Sequence, residues 1–229
     1  MRSCVWWESR HETGGFPMTR LLAALLLVLA GPARADPVTD SLFAEGIFSA
    51  LPAGQEIHYA HVRNGPAAPE FLPVAEGSMV LARGGPEGLV LTVVADGRSR
   101  KLPEFPAGGG NPVLLVFLES VSRSMATLTG GSPFYIRNRI KDALRAGGDL
   151  DEVSQPLGAG TVAARVVTLH PFEADPNRGR MGDFAGLSLR FVISDSVPGH
   201  FLSLSADTPG AATGYHETIT LMDDGKDGK

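Results

Sequence analysis

Two arginines occupy the first turns of a predicted helix, in the segment GGSPFYIRNRIKDAL at 130–144. They are Arg137 and Arg139. The N-terminal end of a helix carries a partial positive charge, so the helix dipole disfavours a cation there and each guanidinium needs another partner. The chemistry allows two kinds of partner: carboxylates of the protein itself, or the anionic head of a ligand at the mouth of a pocket.

The loop HPFEADPNRGRMGDF at 170–184 contains carboxylates that such arginines need. Loops of this length within a domain are commonly functional or mobile. We therefore treat Asp175, Arg178 and Arg180 as a second candidate site. We predict that Arg137 and Arg139 anchor the second helix to this acidic loop, and keep ligand binding by the same arginines as the alternative.

Patterns typical of catalysis or metal binding are weak in this chain. His58 and His61 lie three residues apart on a predicted strand, so their side chains point to opposite faces. There is no G-x-S-x-G elbow, and Ser132 serves better as a helix cap than as a nucleophile. We assign no catalytic residue, no metal site and no cofactor. A carboxylate-dependent hydrolase ranks last among the functions considered, because no acid pair is singled out by spacing.

The beginning of the chain has the three parts of a secretory signal peptide. A basic start at 18–20 precedes ten apolar residues at 21–30, and GPARA at 31–35 ends in a small-x-small site. The apolar run is too short to span a bilayer stably. We predict a signal peptide at 18–35 that is cleaved after Ala35, and we interpret 1–17 as the product of an upstream start site.

Processing at Ala35 changes the chemistry of the chain. Cys4, Trp6 and Trp7 are its only cysteine and tryptophans, so the exported form has neither disulfides nor thiolate metal sites. Four of 20 basic and two of 25 acidic residues precede Asp36, which leaves a net charge of −7. An acidic chain without a basic stripe is a poor nucleic-acid binder. We expect a single exported domain over 36–229, without a transmembrane segment and located in the periplasm or secreted.

The first half of this domain is predicted to be one helix followed by four strands. Asp40 is a candidate N-cap for a helix over 41–51, before Pro52 and Gly54 end it. The strands cover 55–63, 78–83, 88–95 and 98–102, where β-branched and aromatic residues are bounded by Gly and Pro. The dipeptide Asp96-Gly97 predicts a tight hairpin turn between the last two strands.

The second half is predicted to be a helical hairpin followed by four strands. Asn111 caps the first helix, Gly130 ends it and Ser132 opens the second. The strands cover 161–170, 185–194, 200–206 and 215–221. The hairpin is expected to pack on the sheet through Leu118, Val121, Met125, Ile136 and Ile140. The fold class is therefore α+β: a strongly curved antiparallel sheet or open barrel of about eight strands, covered by a central helical hairpin.

This organisation, with the apolar helix NPVLLVFLESVSRSMATL at 111–128 between two sets of amphipathic strands, resembles the periplasmic lipoprotein-carrier-like half-barrel proteins. The resemblance implies a concave sheet that is covered by helices and holds acyl chains. It is an analogy at the level of fold, and it transfers no residue role.

The function that these observations favour is an exported binding or carrier protein with an apolar pocket between sheet and hairpin. The candidate ligand-binding residues are Val113, Val116 and Phe117 at the start of the first helix, with Arg137 and Arg139 at the pocket mouth. The alternative is an envelope structural or assembly factor that binds a protein partner through the edge strand RSRKL or the hairpin.

Overall fold

Ten strands pair antiparallel in one sheet in the computed structural model, which describes residues 37–49, 51–52, 54–85, 88–210 and 214–222. The strand order is β4-β3-β2-β1-β10-β9-β8-β7-β6, and the short β5 pairs with β3. The first five strands are β1 Glu56–Asn64, β2 Val74–Arg83, β3 Gly88–Ala95, β4 Arg98–Lys101 and β5 Phe105–Pro106. The others are β6 Asp149–Leu157, β7 Gly160–Leu169, β8 Ser188–Ile193, β9 Phe201–Asp207 and β10 His216–Leu221.

The two ends of this strand order, β4 and β6, do not pair with each other, so the curved sheet stays open. The turn between β3 and β4 is formed by Asp96 and Gly97, both with positive φ (49° and 74°), as a two-residue hairpin requires. The predicted fold class, an α+β curved antiparallel sheet covered by a helical hairpin, is confirmed.

The hairpin consists of α2, Pro112–Thr129, and α3, Pro133–Ala146. The Asn111 side chain accepts a hydrogen bond from the Val113 amide at 2.9 Å, which caps α2. Gly130 ends α2 in the left-handed conformation at φ 68°. Of the five residues expected to pack on the sheet, Leu118 is only half-buried and the other four are buried. No helix within the described part of the chain is long and apolar enough to cross a membrane.

The main core lies between the hairpin and the inner face of the sheet. Phe117 of α2 meets Phe191 of β8 edge to face, with ring centroids 6.0 Å apart. A smaller apolar cluster covers part of the opposite face, and it comprises Ala164, Val166, Val192, Val197 and Leu202. Val192 is therefore buried although it points away from the main core.

The prediction of a helix over 41–51 is wrong. The observed helix, α1, covers Pro37–Leu42, and turns follow it. Pro37 suits a first helical position, while Gly46 has φ 71° and so breaks any helix that continued past it. Phe48 and Leu51 are nonetheless buried. The apolar pattern therefore predicted these two core residues correctly, although the helix that it predicted for them is absent.

Two strands, β5 and β6, were not predicted. The sequence DLDEVSQPL of β6 has no buried residue, because β6 is an edge strand that pairs only with β7. Residues 36–229 form one compact unit. The predictions for 1–17 and for a signal peptide at 18–35 fall outside the described residues.

Candidate functional site

A cleft of about 470 Å³ lies between α2 and the inner face of the first strands of the sheet. We call it the α2 cleft. Its lining comprises His61, Arg63, Val74, Met79, Val93, Ala95, Arg100, Leu102, Phe105, Leu115, Val116, Glu119, Ser120 and Arg123. Its volume is in the range of small-molecule sites, about 300 to 1,000 Å³.

One wall of the α2 cleft is apolar because of strand register. Met79 of β2 pairs with Val93 of β3, and Val93 pairs with Arg100 of β4, so these side chains form one row across the inner face. The helix contributes Leu115 and Val116 on the other side. Leu115 is 47% exposed, which is unusual for a leucine beside a core and makes it an accessible apolar surface at the cleft mouth.

A buried carboxylate organises the polar end of the cleft. Glu217 of β10 is fully buried, and its Oε1 lies 2.8 Å from His61 Nε2 and accepts a hydrogen bond from Ser120 Oγ at 2.7 Å. The Tyr215 hydroxyl donates to Oε2. Burial, and next the charge of Glu217, raise the pKa of Tyr215 well above its ordinary value, so this hydroxyl stays protonated and remains a donor.

Arg63 joins this network through the same serine. Its Nη1 donates to Ser120 Oγ at 2.8 Å, and its Nη2 donates to the Leu72 carbonyl at 2.7 Å. The serine hydroxyl thus accepts from Arg63 and donates to Glu217. It bonds the carboxylate and not the imidazole of His61, so the serine-to-histidine hydrogen bond of a catalytic triad is not formed between these residues. The arrangement of Ser120, His61 and Glu217 therefore lacks the order of a hydrolytic triad.

The outer rim of the α2 cleft carries a second charged group. Glu119 accepts hydrogen bonds from Arg123 Nε at 2.6 Å and from Arg137 Nε at 2.7 Å. Burial opposes ionisation of Glu119, but the hydrogen bonds and charges of Arg137 and Arg123 outweigh it and lower its pKa. Two cations thus share one anion. Arg100 forms no ion pair with any described residue, so the rim has an excess of positive charge.

The residues predicted to bind a ligand are divided between this cleft and the core. Val116 lines the cleft, whereas Val113 and Phe117 are fully buried in the main core. Arg137 stands behind the rim, bound to Glu119, and its guanidinium also lies 5.2 Å from the centroid of the Phe134 ring. Arg139 is on the far side of α3. Their assignment as ligand-binding residues stays a prediction.

The acidic loop meets α3 through Asp175. The Asp175 side chain is fully buried. Both of its carboxylate oxygens lie 2.8 Å from the Tyr135 hydroxyl, which donates to them. Its Oδ1 also accepts a hydrogen bond from the backbone N–H of Asn177 at 2.7 Å. Arg139 Nε lies 3.0 Å from Oδ2 as an ion pair without a well-directed hydrogen bond. Arg178 and Arg180 are exposed on a short 3₁₀ turn. Asp175 therefore joins loop and helix, away from the α2 cleft.

Sequence reasoning did not identify His61, Arg63, Ser120 and Glu217 as a group. One signal for Glu217 was present: in YHETITL the alternation places Tyr215, Glu217 and Ile219 on the buried face of β10. A buried carboxylate at such a position needs hydrogen-bond donors.

Within the described residues, no group of three or more His, Cys, Asp or Glu side chains is arranged to hold a metal ion.

Comparison with known proteins finds distant structural similarity. No family model matches the chain, and no curated protein sequence matches it. Among solved structures, it is similar to the Mycobacterium tuberculosis lipoprotein LppX, at 9% identity over 74% of this chain and 86% of that chain, with a TM-score of 0.29. It is also similar to LprF from Mycobacterium bovis, at 10% identity over 84% and 94%, with a TM-score of 0.32. At these identities and TM-scores, neither the activity nor any residue role of these two proteins transfers to this chain.

Proposed function

We propose that this protein is an exported binding or carrier protein that holds an apolar ligand, such as an acyl chain, in the α2 cleft. The observation that carries the proposal is the apolar wall formed by Met79, Val93 and Val116, which ends at the exposed Leu115. Burial of an aliphatic chain against such a wall is favourable by about 0.8 kcal/mol for each methylene removed from water.

The size of the cleft supports a ligand with one chain. A volume of about 470 Å³ lies in the lower half of the range for small-molecule sites.

Export is the second part of the proposal, and it depends on the signal-peptide pattern at 18–35. N-terminal sequencing of the exported protein tests it: we expect Asp36 as the first residue, whereas retention of Trp6 and Trp7 would contradict export by this route.

The edge strand β4 gives little support to the alternative of an assembly factor. All four of its residues are exposed, and three are basic: Arg98, Arg100 and Lys101. Charged side chains on an edge strand oppose pairing with a further strand. We therefore keep the ligand-binding function as the proposal.

A matched pair of variants tests the cleft. Val93 lies on the inner face of β3 and lines the cleft, whereas the neighbouring Val94 is half-buried and points to the opposite face of the same strand. Val93→Trp fills the cleft, and Val94→Trp is the control. We expect mass spectrometry of organic extracts to find an apolar compound with the wild type and with Val94→Trp, and to find it depleted with Val93→Trp. Equal amounts with both variants would contradict the proposed site.

A further inference from the structure

His61 is the most unusual polar residue of the α2 cleft. Its side chain is 5% exposed, and its Nε2 is committed to Glu217 at 2.8 Å. Its other ring nitrogen, Nδ1, has no hydrogen-bond partner among the described residues. A buried polar atom without a partner is unfavourable, so native proteins nearly always satisfy such groups. His61 lines the cleft, so the polar head of a ligand bound there can supply this partner.

The strand that pairs with β1 carries a glycine opposite His61. His61 of β1 pairs with Gly77 of β2, which has no side chain on the inner face. A Cβ at this position would lie 2.6 Å from Val74 Cγ1 and 3.0 Å from the His61 carbonyl oxygen, so no larger residue fits without displacement. The space beside this part of β1 is thus filled by the Val74 side chain, and the strand register requires a glycine at position 77.

The adjacent cation, Arg63, donates hydrogen bonds only to neutral groups, although Glu217 lies directly opposite it in the strand register. Its hydrogen bonds go to the Leu72 carbonyl and to the Ser120 hydroxyl, and no described carboxylate lies within salt-bridge distance. Ser120 bridges Arg63 to Glu217, and Glu217 already accepts from three donors. Glu119 is the other anion of the cleft, and it is shared by two arginines. Around the cleft, Arg63, Arg100, Arg123 and Arg137 outnumber the carboxylates of Glu119 and Glu217, and this net positive charge favours an anionic ligand.

We propose that the ligand of the α2 cleft is a single-chain amphiphile with a phosphate-type head, and that His61 Nδ1 and Arg63 bind this head while the apolar wall holds the chain. This inference rests on the proposed function. A phosphate monoester carries acceptor oxygens for Arg63. It also carries both a hydroxyl donor and acceptors, so it satisfies Nδ1 whether the imidazole is neutral, with Nε2–H on Glu217, or protonated.

Three ligands with the same chain and different heads test the proposal by titration calorimetry on the exported chain. They are 1-decanol, used below its solubility limit, and decyl phosphate and decyltrimethylammonium, each used below its micelle concentration. We expect decyl phosphate to bind about tenfold or more tightly than 1-decanol, because one charge-assisted hydrogen bond contributes an effect of that order. We expect decyltrimethylammonium to bind more weakly than 1-decanol. Equal affinities for the three, or a preference for the cation, would overturn the proposal.

Two further arms separate this inference from the proposed function. If none of the three compounds binds, the carrier function itself is wrong and the inference falls with it; if 1-decanol binds as tightly as decyl phosphate, only the inference falls. Inorganic phosphate distinguishes an amphiphile from a free anion. We expect no measurable binding at concentrations that saturate with decyl phosphate, and equal binding would overturn the assignment to an amphiphile.

Variants of the two head-binding residues locate the effect. His61→Gln retains an N–H that reaches Glu217 but has no counterpart of Nδ1, and Arg63→Gln removes the cation. Each is expected to reduce the preference for decyl phosphate over 1-decanol, with Arg63→Gln bringing the ratio near one. His58→Gln is the control, because His58 lies on the same strand and points to the opposite face. An unchanged ratio in His61→Gln would remove His61 from the site, and this variant decides the question even if Arg63→Gln, which also loses its bonds to Leu72, does not fold.

Discussion

Asp175→Ala removes the contact that joins the acidic loop to α3. In the wild type, the buried carboxylate accepts from the Tyr135 hydroxyl and the Asn177 amide and forms an ion pair with Arg139. The alanine variant leaves these donors and the arginine without an anion. We therefore expect a loss of stability and not a change in ligand binding, since the contact lies away from the α2 cleft.

The size of the loss follows from burial. Removal of one partner of a buried ion pair costs about 3 to 5 kcal/mol. The Asp175 side chain is 0% exposed, but that of Arg139 is 34% exposed, so water can take over part of the interaction with the arginine. We take the lower end, about 3 kcal/mol. For a chain of this size, that corresponds to a decrease in Tm of about 6 to 12 °C.

Asp142→Ala is the matched control, because Asp142 is the other carboxylate in contact with Arg139. Its oxygen lies 3.4 Å from Arg139 Nη1, and its side chain is 51% exposed. An exposed pair of this kind contributes about 0 to 1 kcal/mol. Thermal melts and urea titrations of both variants measure the difference. Equal and small losses would refute the reasoning, because they would mean that the loop does not hold α3 through Asp175.

Two other predictions concern the core and a buried histidine. Phe117→Ala should cost about 3 to 5 kcal/mol in urea titrations because Phe117 is fully buried against Phe191, while Leu115→Ala, at an exposed position of the same helix, should change stability by about 0.5 kcal/mol or less. Burial lowers the pKa of His200 below its ordinary value of 6.5, so on acidification the unfolded chain binds a proton at this residue before the folded chain does. The contribution of neutral His200 to the free energy of unfolding is therefore fully present above pH 6.5 and decreases as the pH falls below 6.5. His200→Gln should reduce this slope in melts from pH 7 to 5, and an unchanged slope would assign it to other groups.

The parts of the fold that the sequence predicted well are those with local signals. Asn111, Pro112 and Gly130 mark the two ends of α2, and the structure has a cap, a first helical residue and a left-handed stop at these positions. Asp96-Gly97 predicted a hairpin turn because few residues other than glycine adopt positive φ readily. In each case the information lies within a few residues of the feature.

Features that depend on distant partners were less accessible. The β6 strand has no buried side chain and is defined by its pairing with β7. Its sequence therefore lacks the alternation of apolar and polar residues that predicts a strand. His61 and Glu217 are 156 residues apart in sequence, and their contact arises because β1 and β10 are neighbours in the sheet. The pairing of terminal strands is a long-range property, which periodicity along one segment does not specify.

The two arginines that first indicated a site are a case between these extremes. Their position at the start of α3 correctly implied that they need partners. The predicted partner, the acidic loop, is correct for Arg139, which lies beside Asp175, and wrong for Arg137, which binds Glu119 of α2. The sequence pattern of α2 does not single out Glu119. Its ion pair with Arg137 arises only because the two helices pack together.

Saturable binding of 1-decanol tests the central claim most directly. The neutral fluorophore N-phenylnaphthylamine reports occupancy of an apolar site, and 1-decanol displaces it if both occupy the α2 cleft. We expect one displaceable site per chain in the wild type and in Val94→Trp, and a loss of affinity of about tenfold or more in Val93→Trp, where the indole fills the cleft. Absence of saturable binding in the wild type, or equal affinity in the two tryptophan variants, would contradict the account of this protein as an apolar-ligand carrier.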